Sequence, residues 1–158
     1  MSADRELAKE IAGLAKEIWT ECFTDMLPEG QTEYLIEKLQ SEEAILEQMA
    51  EGYIYDPIFF GARNVGYSAI KVEEDRVFIS KIYILKSFRG RGLAYERFTE
   101  IEAIARDLGK PNLYLSVNRS NEPAMRFYRS MGFFIEDKVD KDAGGGFFLN
   151  DYIMRKLL

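Results

Sequence analysis

The chain has 158 residues, 47% hydrophobic, 13% aromatic and 30% charged, a composition that builds one core and is too short for two full domains. Its net charge of −6 argues against nonspecific nucleic-acid binding, which draws its affinity from neutralised phosphates. Cys22 is the single cysteine and histidine is absent, which excludes an internal disulfide, a cysteine-built metal site and imidazole acid–base chemistry.

Lys9, Glu10, Lys16 and Glu17 interrupt the first hydrophobic run, so neither a signal core nor a membrane span is expected, and the location expected by default is cytoplasmic. Charge is unevenly spread. Residues 1–51 carry 4 basic and 13 acidic side chains, a net of −9, and residues 52–158 carry 17 and 14, a net of +3.

Leu7, Ile11, Leu14, Ile18 and Trp19 recur at helical spacing and predict a first helix to about Phe23. Pro28-Glu29-Gly30 breaks it. Tyr34, Leu35, Leu39, Ile45, Leu46 and Met49 continue helix, split near Ser41, whose hydroxyl can cap the second piece. From Tyr53 the residues turn aromatic and β-branched: a strand to Ala62, a turn at Arg63-Asn64, a strand over Val65 to Val72, a turn at Glu73 to Asp75, and a third strand from Arg76 to Leu85. Slipped alternation near Lys81 to Tyr83 suggests a bulge there.

Arg91 to Leu108 reads as a helix stopped by Gly109, and Asn112 to Val117 as a buried strand. Asn121 can cap a helix running through Pro123 to Met131 and ending at Gly132. Phe133 to Val139 and Phe147 to Leu157 are expected to form a hairpin around a wide connection at Asp140 to Gly146. Its aromatic surface is a candidate homodimer face.

Arg89-Gly90-Arg91-Gly92-Leu93-Ala94 joins a strand to a helix. Such a turn presents backbone N–H groups at the positive end of the helix dipole. Gly90 and Gly92 have no side chain to obstruct a phosphate, Arg89 and Arg91 add charge, and Ala94 keeps the first helical turn slim. On six residues alone, a tight structural connection is an equally good reading. A Walker loop is excluded because no Lys-Ser/Thr follows Gly92, and the three-glycine dinucleotide fingerprint is missing.

The segment Ile82 to Ala94, IYILKSFRGRGLA, resembles the acetyl-coenzyme A motif of the GCN5-related N-acetyltransferase (GNAT) superfamily. Leu115-Ser116-Val117-Asn118, followed by Asn121, Ala124, Phe127-Tyr128 and Gly132-Phe133, is similar to that superfamily's strand-helix segment. With Asp151 to Lys156 the resemblance covers roughly residues 53 to 158. It implies an α/β (α+β) fold: a mixed, mostly antiparallel sheet with helices on both faces and a V-shaped splay between two central strands. It also implies a single acetyl-coenzyme A-dependent N-acetyltransferase domain over residues 1–158.

By the same resemblance, the backbone of Tyr83, Ile84 and Leu85 would bind pantetheine, and Arg89, Gly90, Arg91, Gly92, Leu93 and Ala94 the pyrophosphate. Asn118 and Asn121 would meet the cofactor, Asn121 near its thioester end, and Tyr128 would contact coenzyme A and protonate its departing thiolate. The acceptor would be a small-molecule or peptide amine, with no metal, nucleic acid or membrane partner. The acidic first helices would wall its side and attract a cation.

The general base has no clear candidate, because Arg76 to Phe88 contains no carboxylate. Glu73 and Glu74 read as solvated turn residues, Glu33 and Glu37 are remote candidates, and Ser80 and Lys81 could face the acceptor or point outward. A noncatalytic acyl-coenzyme A binding module is the alternative. Relatives usually begin with an edge strand, and Ala3 to Glu6 is barely long enough and strongly polar for one.

Overall fold

The computed structural model describes residues 2–158. Helix α1, Ser2–Phe23, opens the chain where an edge strand was the family expectation. Asp4 lies in its first turn, where a negative charge suits the helix dipole. The buried face of α1 runs through Ala8, Ile11, Ala15, Ile18 and Trp19, each three or four residues on from one before it. Full burial of Ile11 or Ile18 contributes about 1.5–3 kcal/mol each.

Helix α2, Gln31–Gln40, follows Gly30, whose φ of 83° turns the chain after Pro28. Helix α3, Glu42–Ala50, is capped by Ser41, whose hydroxyl accepts from the Ala44 N–H at 3.2 Å. The three helices pack on one another.

Strand β1, Ile54–Phe60, pairs antiparallel with β2, Arg63–Val72, through Ile54↔Ile70 to Phe60↔Arg63. The connecting turn is Gly61-Ala62 rather than Arg63-Asn64. Gly61 supplies a φ of 64°, which frees Asn64 and Arg63 to pair with Phe59 and Phe60. Strand β3, Val77–Ile84, leads through a 3-10 turn, Lys86–Phe88, to α4, Leu93–Asp107. Strand β4, Asn112–Asn118, runs parallel to β3, with Val77–Ile79 paired to Leu113–Leu115. Helix α5, Glu122–Ser130, precedes β5, Phe134–Gly144, and β6, Phe147–Leu157.

The strands form a six-stranded mixed sheet in the order β1-β2-β3-β4-β6-β5, with β3–β4 as its parallel pair. The final hairpin is tighter than the sequence suggests. Asp140, Lys141 and Asp142 pair with Asn150, Leu149 and Phe148, so β5 continues to Gly144. Gly145 and Gly146, at φ 60° and 82°, make the reversal that a primed hairpin turn requires.

The chain divides into two compact units. One holds the residues up to Ile70 together with Lys81–Phe98, and the other holds Lys71–Ser80 with Thr99–Leu158. The first has Ile11, Ile18, Ile45, Val65, Tyr67 and Phe98 fully or almost fully buried. In the second, Val77, Ile101, Leu113 and Met154 serve the same purpose.

Candidate functional site

In the first unit, the turn after β3 is built from two glycines in the left-handed region, Gly90 at φ 78° and Gly92 at φ 79°. A Cβ on either would have no atom within 4 Å, so the space above both is open. Helix α4 begins at Leu93, so its first N–H groups point back into that space. The turn is anchored from behind. The Glu21 carboxylate accepts from the Lys86 N–H at 3.0 Å, Arg89 Nε donates to the Ile84 carbonyl at 3.1 Å, and Arg89 Nη2 donates to Cys22 Sγ at 2.6 Å. The Arg91 guanidinium lies over the rings of Phe60 and Phe88 at 4.9 and 5.6 Å, and Arg63 joins it over Phe88 at 5.0 Å.

Before the turn, the Tyr83 ring is fixed edge-on among Trp19, Phe23 and Tyr67, at centroid distances of 5.5, 5.9 and 5.8 Å. Its backbone approaches β2 closely at Gly66. A Cβ there would overlap the Tyr83 carbonyl oxygen and sit 3.2 Å from Ile84 Cα. The Leu85 N–H donates to the Val65 carbonyl at 2.8 Å.

A continuous polar chain crosses the same unit. Trp19 Nε1 donates to the Tyr67 hydroxyl at 3.0 Å, and Tyr67 donates to Gln40 Oε1 at 2.5 Å. Gln40 Nε2 donates to the Tyr55 hydroxyl at 3.1 Å, Tyr55 donates to Gln48 Oε1 at 2.6 Å, and Lys81 Nζ donates to that oxygen at 3.3 Å. Gln48 Nε2 donates to the Leu39 carbonyl at 2.9 Å, which fixes the amide so that its oxygen faces Tyr55 and Lys81. Lys81 Nζ also lies 5.9 Å from the centroids of Tyr53 and Tyr55. Burial pushes Tyr67 well above the usual phenol range, Tyr55 up to about 12, and Lys81 down to about 8.

In the second unit, Asn118 Oδ1 accepts from the Ser120 N–H at 2.8 Å, and Asn121 Oδ1 accepts from the Ala124 N–H at 3.3 Å as the cap of α5. Tyr128 packs against Phe127 and Phe133 at 5.8 and 6.0 Å, and burial raises its hydroxyl to about 12. Burial also raises Asp151, opposed by Arg119 and by a hydrogen bond with Ser116. Among the described residues, no group of three or more His, Cys, Asp or Glu could hold a metal ion, and no helix is long and apolar enough to cross a membrane.

The family model of the acetyltransferase (GNAT) family matches residues 13–133. The chain belongs to the GNAT acetyltransferase family. An uncharacterised N-acetyltransferase of Mycobacterium bovis is 37% identical over 93 residues, 58% of this chain and 59% of the relative, so the match spans less than two thirds of that relative's length. One from Lactobacillus delbrueckii subsp. lactis is 27% identical over 139 residues, 82% of this chain and 80% of its own. Among solved structures, the PaiA N-acetyltransferase of Thermoplasma acidophilum in complex with coenzyme A superposes with a TM-score of 0.80 at 21% identity, covering 98% of this chain and 94% of that one. A GCN5-related N-acetyltransferase of Rhodopseudomonas palustris gives a TM-score of 0.81 at 17% identity, covering 97% and 91%. At these identities the structural likeness concerns the fold.

The GNAT residues expected at the site fall on both units. Tyr83, Ile84, Leu85 and Arg89 to Ala94 lie together in the first, and Asn118, Asn121 and Tyr128 in the second. Glu33 and Glu37, the remote base candidates, are exposed on α2. Glu73 is not a merely solvated turn residue, since its carboxylate accepts from Arg76 Nε at 2.9 Å and from the Tyr114 hydroxyl at 3.0 Å. Trp19 belongs to the core, as its helical spacing indicated. Sequence reasoning missed Gln40, Gln48, Tyr55 and Tyr67. The available signal was that Gln40 precedes the capping Ser41 on the apolar side of α2, four residues after Ile36 and five after Leu35.

Proposed function

We propose that residues 1–158 form one acetyl-coenzyme A-dependent N-acetyltransferase domain, acting in the cytoplasm on a primary amine by direct attack through a tetrahedral intermediate. The observation that carries this is the Arg89–Ala94 turn. Two left-handed glycines open the space before the first turn of α4, and a pyrophosphate there meets backbone N–H groups and the positive end of a dipole. The backbone of Tyr83 to Leu85 would hold pantetheine, and Asn118 and Asn121 would also contact the donor substrate.

Attack on the thioester carbonyl forms the C–N bond, and collapse breaks C–S. Tyr128 is the proton donor to the departing thiolate in this reading. A hydroxyl raised to about 12 stays protonated at neutral pH and is available to give its proton when the stronger base appears. The acceptor is a small cationic amine or a peptide amine, drawn by the net of −9 carried on residues 1–51.

Free-thiol release from acetyl-coenzyme A, measured with polyamines, amino acids, aminoglycosides and peptides, tests the reading. Amine-dependent thiol release supports it. Tight donor binding with no amine-dependent release would instead identify a noncatalytic acyl-coenzyme A module.

A further inference from the structure

An alkylammonium acceptor, with a pKa of about 10.4, must lose a proton before it can attack. Strand β3 offers no carboxylate for that task. It does carry Lys81, half-buried and two residues before Tyr83, with its Nζ over the ring of Tyr55, which stacks on Tyr67, which in turn meets Tyr83 edge-on. Resting on the acetyltransferase reading above, we propose that the Nζ amine of Lys81 is the base that removes the acceptor's proton, held in position by the hydrogen-bonded chain that ends at Gln48.

The hydrogen bonds of that chain have fixed directions. Trp19 Nε1 can only donate, so the Tyr67 hydroxyl accepts from it and directs its own proton toward Gln40. The Gln40 amide is thereby oriented, as are the Tyr55 hydroxyl and the Gln48 amide in turn. The last atom of the chain is an oxygen that accepts only. A neutral Lys81 amine donates an N–H to Gln48 Oε1, which cannot compete for the lysine lone pair because that oxygen has no proton to give. Once protonated, the same nitrogen is steadied by that oxygen and by the faces of Tyr53 and Tyr55.

Burial supplies the poise. Facing Lys81 are the Gln48 amide of α3 and the phenol rings of Tyr53 and Tyr55, and desolvation lowers the lysine to about 8. Tyr55 and Tyr67 stay protonated through this range, so within the chain the lysine is the member that changes charge near neutrality. A cationic acceptor brought beside it adds like-charge repulsion, and the pair sheds one proton.

An acceptor R-NH3+ and acetyl-S-coenzyme A give R-NH-CO-CH3, the free thiol and one proton. Lys81 takes the first proton from the ammonium, and the neutral amine attacks. The second nitrogen proton replaces the one Tyr128 gives to sulfur, and Lys81 returns its proton to water before the next turnover.

The decisive variant is Lys81→Arg. It retains a cation over the rings and a donor for Gln48, yet cannot deprotonate near neutrality. With the most active amine of the panel as probe, wild-type kcat/KM should rise tenfold per pH unit and level near pH 8. Side-chain NMR should show the Lys81 Cε protons titrating with the same midpoint. Lys81→Arg should lose about 100-fold or more of the rate and lose that break, with the acetyl-coenzyme A Kd changed less than about threefold. In Lys81→Ala, a tertiary amine, which forms no stable amide, should restore part of the rate in proportion to its basicity. An active Lys81→Arg variant, an unmoved pH break, or an NMR midpoint near 10 would overturn the base role alone. A wild-type protein that binds the donor but acetylates no amine would overturn the acetyltransferase reading, and the base role with it.

Discussion

Gly66 of β2 lies so close to Tyr83 of β3 that a Cβ on the glycine would overlap the tyrosine's carbonyl oxygen. The two backbones therefore meet where a regular ladder would leave room for a side chain, at the strand proposed to hold pantetheine. Gly66→Ala must push β3 aside and should cost about 1–3 kcal/mol in urea denaturation, with weaker acetyl-coenzyme A binding by calorimetry. Gly13, within α1, is the contrast, since a Cβ added there would meet no atom within 4 Å. Gly13→Ala should stabilise by about 0.5–1 kcal/mol.

Gly92 has space around it but a φ of 79°. Gly92→Val should therefore lose about 1–2 kcal/mol of folding stability through its backbone. Titration calorimetry should show a larger loss, at least tenfold in Kd, for acetyl-coenzyme A than for an acetylated pantetheine fragment that lacks the pyrophosphate.

Tyr128→Phe removes the proposed proton donor and leaves the ring contacts with Phe127 and Phe133 available. Turnover should fall about 100-fold or more while the donor Kd stays within about threefold. An unchanged rate would remove Tyr128 from the acid role.

Tyr67→Phe deletes one hydroxyl and strands two partners, Trp19 Nε1 and Gln40 Oε1, in the core of the first unit. Leaving such groups unpaired costs about 1–3 kcal/mol each. Denaturant unfolding should register that loss, and the break in the pH–rate profile attributed to Lys81 should shift or blur as Gln40 reorients.

Lys81 also links stability to pH. Its folded value, about 8, lies below the ordinary lysine value of about 10.4, so between these limits the unfolded chain holds more protons and stability rises with pH. Above about pH 10 the trend reverses, because Tyr55 and Tyr128, raised to about 12, keep protons that the unfolded chain releases. Unfolding free energies measured from pH 7 to 9.5 should climb more steeply for the wild type than for Lys81→Met.

The order of helices and strands was legible because helical spacing survives in Ile11 to Trp19 and in α4, alternation survives in β4, and Gly109 and Gly132 stop their helices at φ 72° and 99°. The ends of the hairpins were less so. Asp140 to Asp142 look like loop residues, but on an exposed strand charged side chains are compatible with pairing, and Gly145-Gly146 supplies the tight reversal. In the site, the glycine turn was visible because its chemistry is local. The chain from Trp19 to Lys81 was not: its members are spread over more than sixty positions, and a glutamine on an acidic helix carries no mark of whether it faces water or Tyr55.

Strand β1 stands at one rim of the sheet. An open rim invites recruitment of a foreign strand. Here Pro57 has no N–H to offer a newcomer, and Arg97 engages the carbonyls of Asp56 and Pro57 at 3.1 and 3.0 Å while also donating to Ser68 Oγ at 2.8 Å. The guanidinium thus pins the middle of β1 to β2 and α4, and a templating strand would meet a border that lacks one donor and has part of its acceptor set already bonded.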